Sequence, residues 1–381
     1  MKKFNENSIK HLKTANTILN VFYHTKKNRT PIEISDAKEI IIIDPTLIGD
    51  IVMLTPLLRT LKKNAPQSRI TMVCASWAKT ILEYQGLVND FYIIDPHLLN
   101  SPKQSVLDCT RLYKLLKQIN AINYNVALEP RGDLRYIYFM HFIHASRKIS
   151  YNYTGGECLL TDVVVPSNKV KHLVEDKMYF AKMIGCKFNK SEMYPQLVLS
   201  EDQKKENEDF INSRGIKGRK IIGIHPGASL EHKRWKKYDH LIAALGIENA
   251  AYLVFSGPGE ENLALSVIKN AKARSGSEMM IIHVHESVRD YIRILATCDI
   301  CICNDSGAGH LTAAYGIPTV VLMGPFDASF AKPYAENSIA IEHPMGCKPC
   351  ISNICLTGTS ACIDSIEVDE VKDKVYQAME V

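Results

Sequence analysis

Several short stretches of this 381-residue chain bring together residue types that could do chemistry. In Asn304-Asp305-Ser306-Gly307-Ala308-Gly309-His310, two helix-capping side chains and two glycines follow an apolar run from Ile300 to Cys303. Such a run reads as a buried strand. The helix opening after it offers free N–H groups and the positive end of its dipole, which suits a phosphate or diphosphate. In His225-Pro226-Gly227-Ala228-Ser229, followed by Lys233-Arg234-Trp235, another strand ends in a loop of small residues. Gly227 and Ser229 bring N–H and O–H donors there, and Lys233 brings a point charge for a phosphate; the plainer reading is a solvated basic helix start. Ser256-Gly257-Pro258-Gly259-Glu260-Glu261 also follows a strand. Glu260 could accept a hydroxyl hydrogen bond from a nucleoside, or simply favour the dipole of the next helix. Leu47-Ile48-Gly49-Asp50 puts a carboxylate at a helix start, as a general base for an incoming hydroxyl or as a plain cap.

A fifth stretch, Cys347-x2-Cys350-x4-Cys355-x6-Cys362, has the donor set of a tetrahedral, structural Zn²⁺ or Fe site. Reduced thiols without metal are the competing reading. Two motifs are missing from the sequence. No G-x-G-x-x-G follows the first strand, which argues against a nicotinamide enzyme. No Asp-x-Asp pair exists to hold Mg²⁺ on a diphosphate, so that charge must be met by Lys233, helix N-termini and backbone.

The elements that must position these residues alternate. Ile40–Ile43, Ile70–Cys74, Phe91–Ile94 and Val126–Leu128 read as strands, with helical spacing at Asp50–Lys63 and Leu107–Ile119. A second alternating series runs through Ile221–His225, Ala251–Phe255, Met280–Ile282, Ile300–Cys303 and Thr319–Leu322, with helices at Trp235–Leu245 and Asn262–Ala273. The less periodic stretch Asp162–Leu199 separates the two series. The pattern predicts an α/β protein of two Rossmann-like, doubly wound parallel domains facing a central cleft. The boundaries expected are a basic extension at 1–36, a first domain at 37–195, a second at 196–365 and a terminal helix within 366–381.

Composition sets the class. Apolar residues make up 46% and charged ones 23%, as in soluble globular enzymes. No apolar run approaches the roughly 18 residues of a spanning helix, and no signal-peptide pattern opens the chain, so a cytoplasmic protein is expected. The net charge of +5 is concentrated at the N-terminus, where Lys2, Lys3, Lys10, Lys13, Lys26, Lys27 and Arg29 face Glu6 alone. The body is therefore no nucleic-acid binder by charge. Ile9, Leu12, Leu19 and Phe22 recur at helical spacing within the basic arm. That helix suits an anionic membrane surface, or docking on its own domain or a partner. Eleven cysteines without a secretory signal argue against a disulfide scaffold.

Taken together, these motifs resemble glycosyltransferase family 9, the ADP-heptose:lipopolysaccharide heptosyltransferase family. The likeness runs from about Ile40 to Val371 and includes Ile48-Gly49-Asp50 with Thr55-Pro56, Gly316-Ile317-Pro318-Thr319 and Gly324-Pro325. The resemblance implies a GT-B fold, with the acceptor bound mainly by the first domain and the donor mainly by the second. It also implies an inverting transfer that needs no catalytic metal. Asp50 and Lys233 are then the catalytic pair, Asp50 deprotonating the acceptor hydroxyl. Gly49, Gly227, Ser229, Glu260, Asp305, Ser306, Gly307 and His310 form the donor set. Lys233, Ser306, Gly307 and His310 steady the diphosphate, Asp305 binds the donor sugar, and Glu260 lies near the nucleoside. Asp44 and Leu47 stand where many members have a basic residue and a serine. The reaction implied is heptosyl transfer from ADP-heptose to a lipopolysaccharide core or related surface glycan. Transfer to protein hydroxyls, another nucleotide-diphosphate sugar, or non-catalytic binding of such a sugar are the alternatives. Peripheral contact with the inner face of the inner membrane, through the basic arm, goes with a glycolipid acceptor.

Overall fold

The computed structural model describes residues 6–27, 30, 33–101, 105–275, 279–350, 352 and 354–380. The chain divides into two compact units, Met1–Met193 and Tyr194–Val381.

The first unit is built on a six-stranded parallel sheet: β1 (Glu39–Ile43), β2 (Arg69–Cys74), β3 (Asp90–Ile93), β4 (Tyr124–Glu129), β5 (Ala145–Tyr151) and β6 (Asp162–Val164). Their spatial order is β3-β2-β1-β4-β5-β6. Helices cover both faces of such a sheet, so its central strand has no polar side, and Ile40 to Ile43 are fully buried. Ile41 registers with Thr71 on one side and Ala127 on the other. After β1 the helix Ile48–Asn64 packs its apolar face inward despite an internal proline. Pro56 lacks the N–H that would reach Val52 O, and the Thr55 hydroxyl donates to that oxygen instead at 2.8 Å.

The second unit repeats the plan: β7 (Lys220–His225), β8 (Ala250–Phe255), β9 (Met280–Val284), β10 (Ile300–Asn304), β11 (Thr319–Met323) and β12 (Ser338–Glu342). The order is β12-β11-β10-β7-β8-β9, again all parallel. The terminal helix Val368–Met379 buries Val371, Val375 and Ala378 in the same core as Ile222, Ile302 and Val320.

In each unit the first three strands wind one way from the centre and the last three the other way. The reversal falls between β1 and β4 in one unit and between β7 and β10 in the other. Loops at the carboxyl ends of these strand pairs diverge and leave room for a ligand.

Several elements differ from the sequence expectation. β5, β6 and β12 were not expected, and the helix Leu173–Met183 lies inside the stretch read as aperiodic, packed on Ile48–Asn64. Lys233 lies in a short 3-10 turn, Glu231–Lys233, and the helix after it starts at Tyr238 rather than Trp235. The N-terminal helix Glu6–Phe22 docks on its own unit: Leu12, Leu19 and Tyr23 join its core, and Asn16 accepts the Gly156 N–H at 2.7 Å. Ile18, Val21 and Phe22 point outward. No described helix is long and apolar enough to cross a membrane.

Candidate active site

In the second unit, the loops after β7 and β10 are stapled together by Asn304, which is fully buried. Its Nδ2 donates to Pro226 O at 2.8 Å and Gly227 O at 3.2 Å. Its Oδ1 accepts from Trp235 N–H at 3.0 Å and the Tyr238 hydroxyl at 3.1 Å. All the polar capacity of the amide serves to fix the His225–Trp235 loop against the start of Gly307–Ala314. The loop so fixed brings Lys233 Nζ to 2.7 Å from Asp305 Oδ2, both side chains about 10% exposed. The ammonium also lies 4.2 Å from the centre of the Phe326 ring.

Next to this pair, Ser306 occupies the N-cap position of Gly307–Ala314 in extended backbone but makes no side-chain capping bond. Its buried hydroxyl has no hydrogen-bond partner among the described residues. A buried hydroxyl left this way costs free energy unless a ligand satisfies it, and it lies at the helix end where anions bind. His310, one turn further on, is buried. Gly309 has another purpose than clearing space for a ligand: a Cβ there would approach Cys303 Sγ to 2.9 Å and Val321 Cγ2 to 3.1 Å. Packing of the helix on its strands requires that glycine.

On the β8 side, Glu260 accepts the Gly257 N–H at 3.1 Å and lies 3.5 Å from Arg234 Nη2 and 3.8 Å from His225 Nε2. A Cβ at Gly227 would overlap its carboxylate. Burial holds His225 below the usual imidazole range, partly offset by Glu260. The Tyr291 hydroxyl contacts the other ring nitrogen, Nδ1, at 3.1 Å. Ser229, by contrast, is exposed on the outer part of its loop.

In the first unit, Gly49 and Asp50 lie in the opening turn of Ile48–Asn64. Asp50 Oδ2 lies 3.3 Å from Arg131 Nη1, on the loop after β4. Burial by itself would lower the Arg131 pKa, yet Asp50, with Asp44 and Asp133, carries it above its ordinary value. Asp44, which stands where many members have a basic residue, does not lie on the surface. It is buried, pairs with Lys177 Nζ at 3.4 Å and accepts from the Thr46 hydroxyl.

A family model for glycosyltransferase family 9 (heptosyltransferase) matches residues 112–360. The chain belongs to glycosyltransferase family 9. It is 24% identical over 333 residues to lipooligosaccharide heptosyltransferase 2 of Campylobacter jejuni, covering 86% of this chain and 94% of that protein. A glycosyltransferase family 9 structure from Veillonella parvula superposes with a TM-score of 0.76 at 20% identity, over 92% of this chain and 99% of that one. The E. coli ADP-heptose lipopolysaccharide heptosyltransferase II superposes at 0.73 and 21% identity, over 90% and 98%. The two Rossmann-like domains of this glycosyltransferase thus form the GT-B fold of its structural relatives.

Within family 9 motifs, the second unit brings Gly227, Lys233, Glu260, Asp305, Ser306 and Gly307 to one sheet edge, around β7, β8 and β10. Asp50 and Gly49 lie at the corresponding edge of the first unit. For the four cysteines, read as either a structural metal centre or plain reduced thiols, the described residues show no gathered donor set. Cys347, Cys350, Cys355 and Cys362 are all free thiols, and among the described residues no group of three or more His, Cys, Asp or Glu is placed to hold a metal. Cys355 is engaged locally instead, with the Thr357 hydroxyl and the Ser360 N–H both at 3.3 Å, which pulls its thiol down to about 7. Sequence reasoning also missed Arg131 and the stapling role of Asn304. The signal for Arg131 was present in Glu129-Pro130-Arg131-Gly132-Asp133, a charged glycine turn directly after a strand.

Proposed function

We propose that this enzyme transfers a heptosyl group from ADP-heptose to a hydroxyl of a lipopolysaccharide core or related surface glycan, with inversion at the anomeric carbon. The observation that carries the reading is the placing of charged family motifs at the winding reversal of both sheets. Asp50 takes the acceptor proton as the hydroxyl oxygen bonds to the anomeric carbon and the bond from that carbon to the diphosphate oxygen breaks. Negative charge grows on the leaving ADP. Lys233 and the N–H groups opening Gly307–Ala314 meet that charge, with Ser306 and His310 alongside. Asp305 is assigned to hydroxyls of the donor sugar and Glu260 to those of the ribose. Gly227 lets Glu260 approach, and Gly49 and Ser229 complete the loops. The names of the similar proteins, lipooligosaccharide and ADP-heptose lipopolysaccharide heptosyltransferases, support this donor and acceptor.

A glycolipid acceptor also suggests a place of work. The helix Glu6–Phe22 uses one face to dock and leaves Ile18, Val21 and Phe22 exposed, in an arm whose sequence is basic. This suits peripheral contact with the inner face of the membrane.

Transfer from ADP-heptose to lipopolysaccharide-core acceptor, followed by mass spectrometry, tests the assignment. Asp50→Asn should lower the rate by at least about 100-fold while ADP affinity stays within about twofold. Lys233→Ala should weaken ADP about tenfold or more, through a lost charge-assisted contact. Wild-type turnover in the first variant would reject the base. Unchanged ADP affinity in the second would reject the phosphate role. Label found in polypeptide rather than glycolipid would replace the acceptor class.

A further inference from the structure

The turn after β4 is over-determined, and it presents one side chain to Asp50. Glu129 ends β4 fully buried and accepts the Gly132 N–H and the Ser150 hydroxyl, each at 2.6 Å. Gly132 has φ +77°, and a Cβ there would come within 2.8 Å of both Tyr151 Cβ and the Tyr153 ring. The Thr154 hydroxyl donates to Gly132 O at 3.0 Å and accepts the Leu134 N–H at 2.7 Å. Asp133, also fully buried, caps Leu134–His141 through the Arg135 N–H at 3.0 Å and binds the Arg135 guanidinium at 2.6 Å. Between these fixed neighbours stands Arg131, 29% exposed, with Nη1 at 3.3 Å from the Asp50 carboxylate, itself 19% exposed.

The second unit has the same device with signs exchanged. There the cation, Lys233, follows the first strand of the sheet, and the acid, Asp305, follows the fourth, 2.7 Å away. An ion pair thus bridges the winding reversal of each sheet. In the first unit the acid is the residue that must receive a proton.

We propose that Arg131 is a positioning residue for Asp50, holding its carboxylate ionised and oriented toward the acceptor hydroxyl. The inference rests on Asp50 being the base. A carboxylate accepts at two oxygens, each with more than one lone pair, so the contact with Arg131 does not by itself prevent it from taking a proton. The hydroxyl proton passes to Asp50 as the new glycosidic bond forms and the bond to the diphosphate oxygen breaks, which neutralises the carboxyl 3.3 Å from Arg131. The same cation then favours release of that proton to water and resets the base. The other charged and titratable groups around this loop are committed to partners. Asp44 is held by Lys177, Asp133 by Arg135, Glu129 by Gly132 and Ser150, and the Tyr136 hydroxyl donates to Asn100 Oδ1 at 3.3 Å.

The test is the pH profile of kcat/KM in the full-length enzyme for wild type, Arg131→Gln, Arg131→Lys and Glu129→Gln, with ADP affinity measured alongside. Removing a neighbouring cation raises a carboxyl pKa by about one unit or more. Arg131→Gln should therefore move the acidic limb up by about one pH unit and lower the plateau about tenfold, with ADP affinity unchanged. Arg131→Lys should keep the limb within about 0.3 units of wild type, because the charge is retained. A limb unmoved in Arg131→Gln overturns the inference, as does a limb abolished by Glu129→Gln. An inactive Asp50→Asn with an unmoved limb in Arg131→Gln removes only the role of Arg131. An active Asp50→Asn removes the base itself.

Discussion

Burial at Glu129 makes one carboxyl a determinant of how the first unit responds to pH. Burial pushes its pKa from the ordinary 4.5 up to about 7, even though hydrogen bonds from Ser150 and Gly132 favour the anion. Ionisation is therefore harder in the folded protein than in the unfolded chain. The stability this group contributes is full below about pH 4.5 and is lost as pH rises through about 7. At about 1.4 kcal/mol per pKa unit, the loss between pH 5 and pH 8 is roughly 2 kcal/mol. Glu129→Gln keeps an acceptor for the Gly132 N–H but cannot ionise, so its stability should lack this decline. Urea titrations read at Trp77, in the same unit, would show it at pH 5 and pH 8. Wild-type and variant curves that run parallel would remove Glu129 from the pH response.

Strand, turn and helix form the unit of construction for the site, and Gly227 shows what the turn must allow. Its backbone is not in the left-handed region, so alanine is locally tolerable. The added Cβ would nevertheless overlap the Glu260 carboxylate, the movable end of a flexible side chain. Gly227→Ala should keep the fold, displace Glu260 and weaken ADP about tenfold, the scale of one hydrogen bond to a charged group. An intact variant with wild-type ADP affinity, measured by calorimetry, would take Glu260 out of the nucleoside site. Much of this construction is legible in sequence because buried parallel strands are apolar runs. β1, β8 and β10 are plain in Ile-Ile-Ile-Ile, Ala-Tyr-Leu-Val-Phe and Ile-Cys-Ile-Cys. β5 escaped because Ser146, Arg147 and Lys148 interrupt its apolar pattern, and β6 because it is three residues long. Arg131 escaped for a different reason: a glycine turn announces a loop, but its partner Asp50 is 81 positions away along the chain. The cysteine spacing is compatible with a metal or with plain thiols, and among the described residues the donors are not gathered.

The whole molecule consists of two units of the same topology, each with its own sheet and core. The proposed donor residues other than Gly49 all belong to Tyr194–Val381, and the proposed base belongs to Met1–Met193. The chain has two tryptophans, and they fall one in each unit: Trp77, whose Nε1 donates to Thr46 O at 2.8 Å, and Trp235, whose Nε1 donates to Ile366 O at 2.9 Å. Trp235→Phe and Trp77→Phe variants therefore report separately on the first and second units. A ligand that binds only folded protein stabilises the part that holds it, by about 2.7 kcal/mol at 100 times Kd. ADP at that level should move the unfolding transition seen by Trp235 in the Trp77→Phe variant to higher urea. Asp50→Asn, added to that variant, should leave the shift intact, because the role proposed for the carboxylate is on the acceptor and not on the nucleotide. A Trp235 transition that ignores ADP while the Trp77 transition moves would transfer the nucleotide to the first unit. The roles of the two ion pairs would then have to be exchanged.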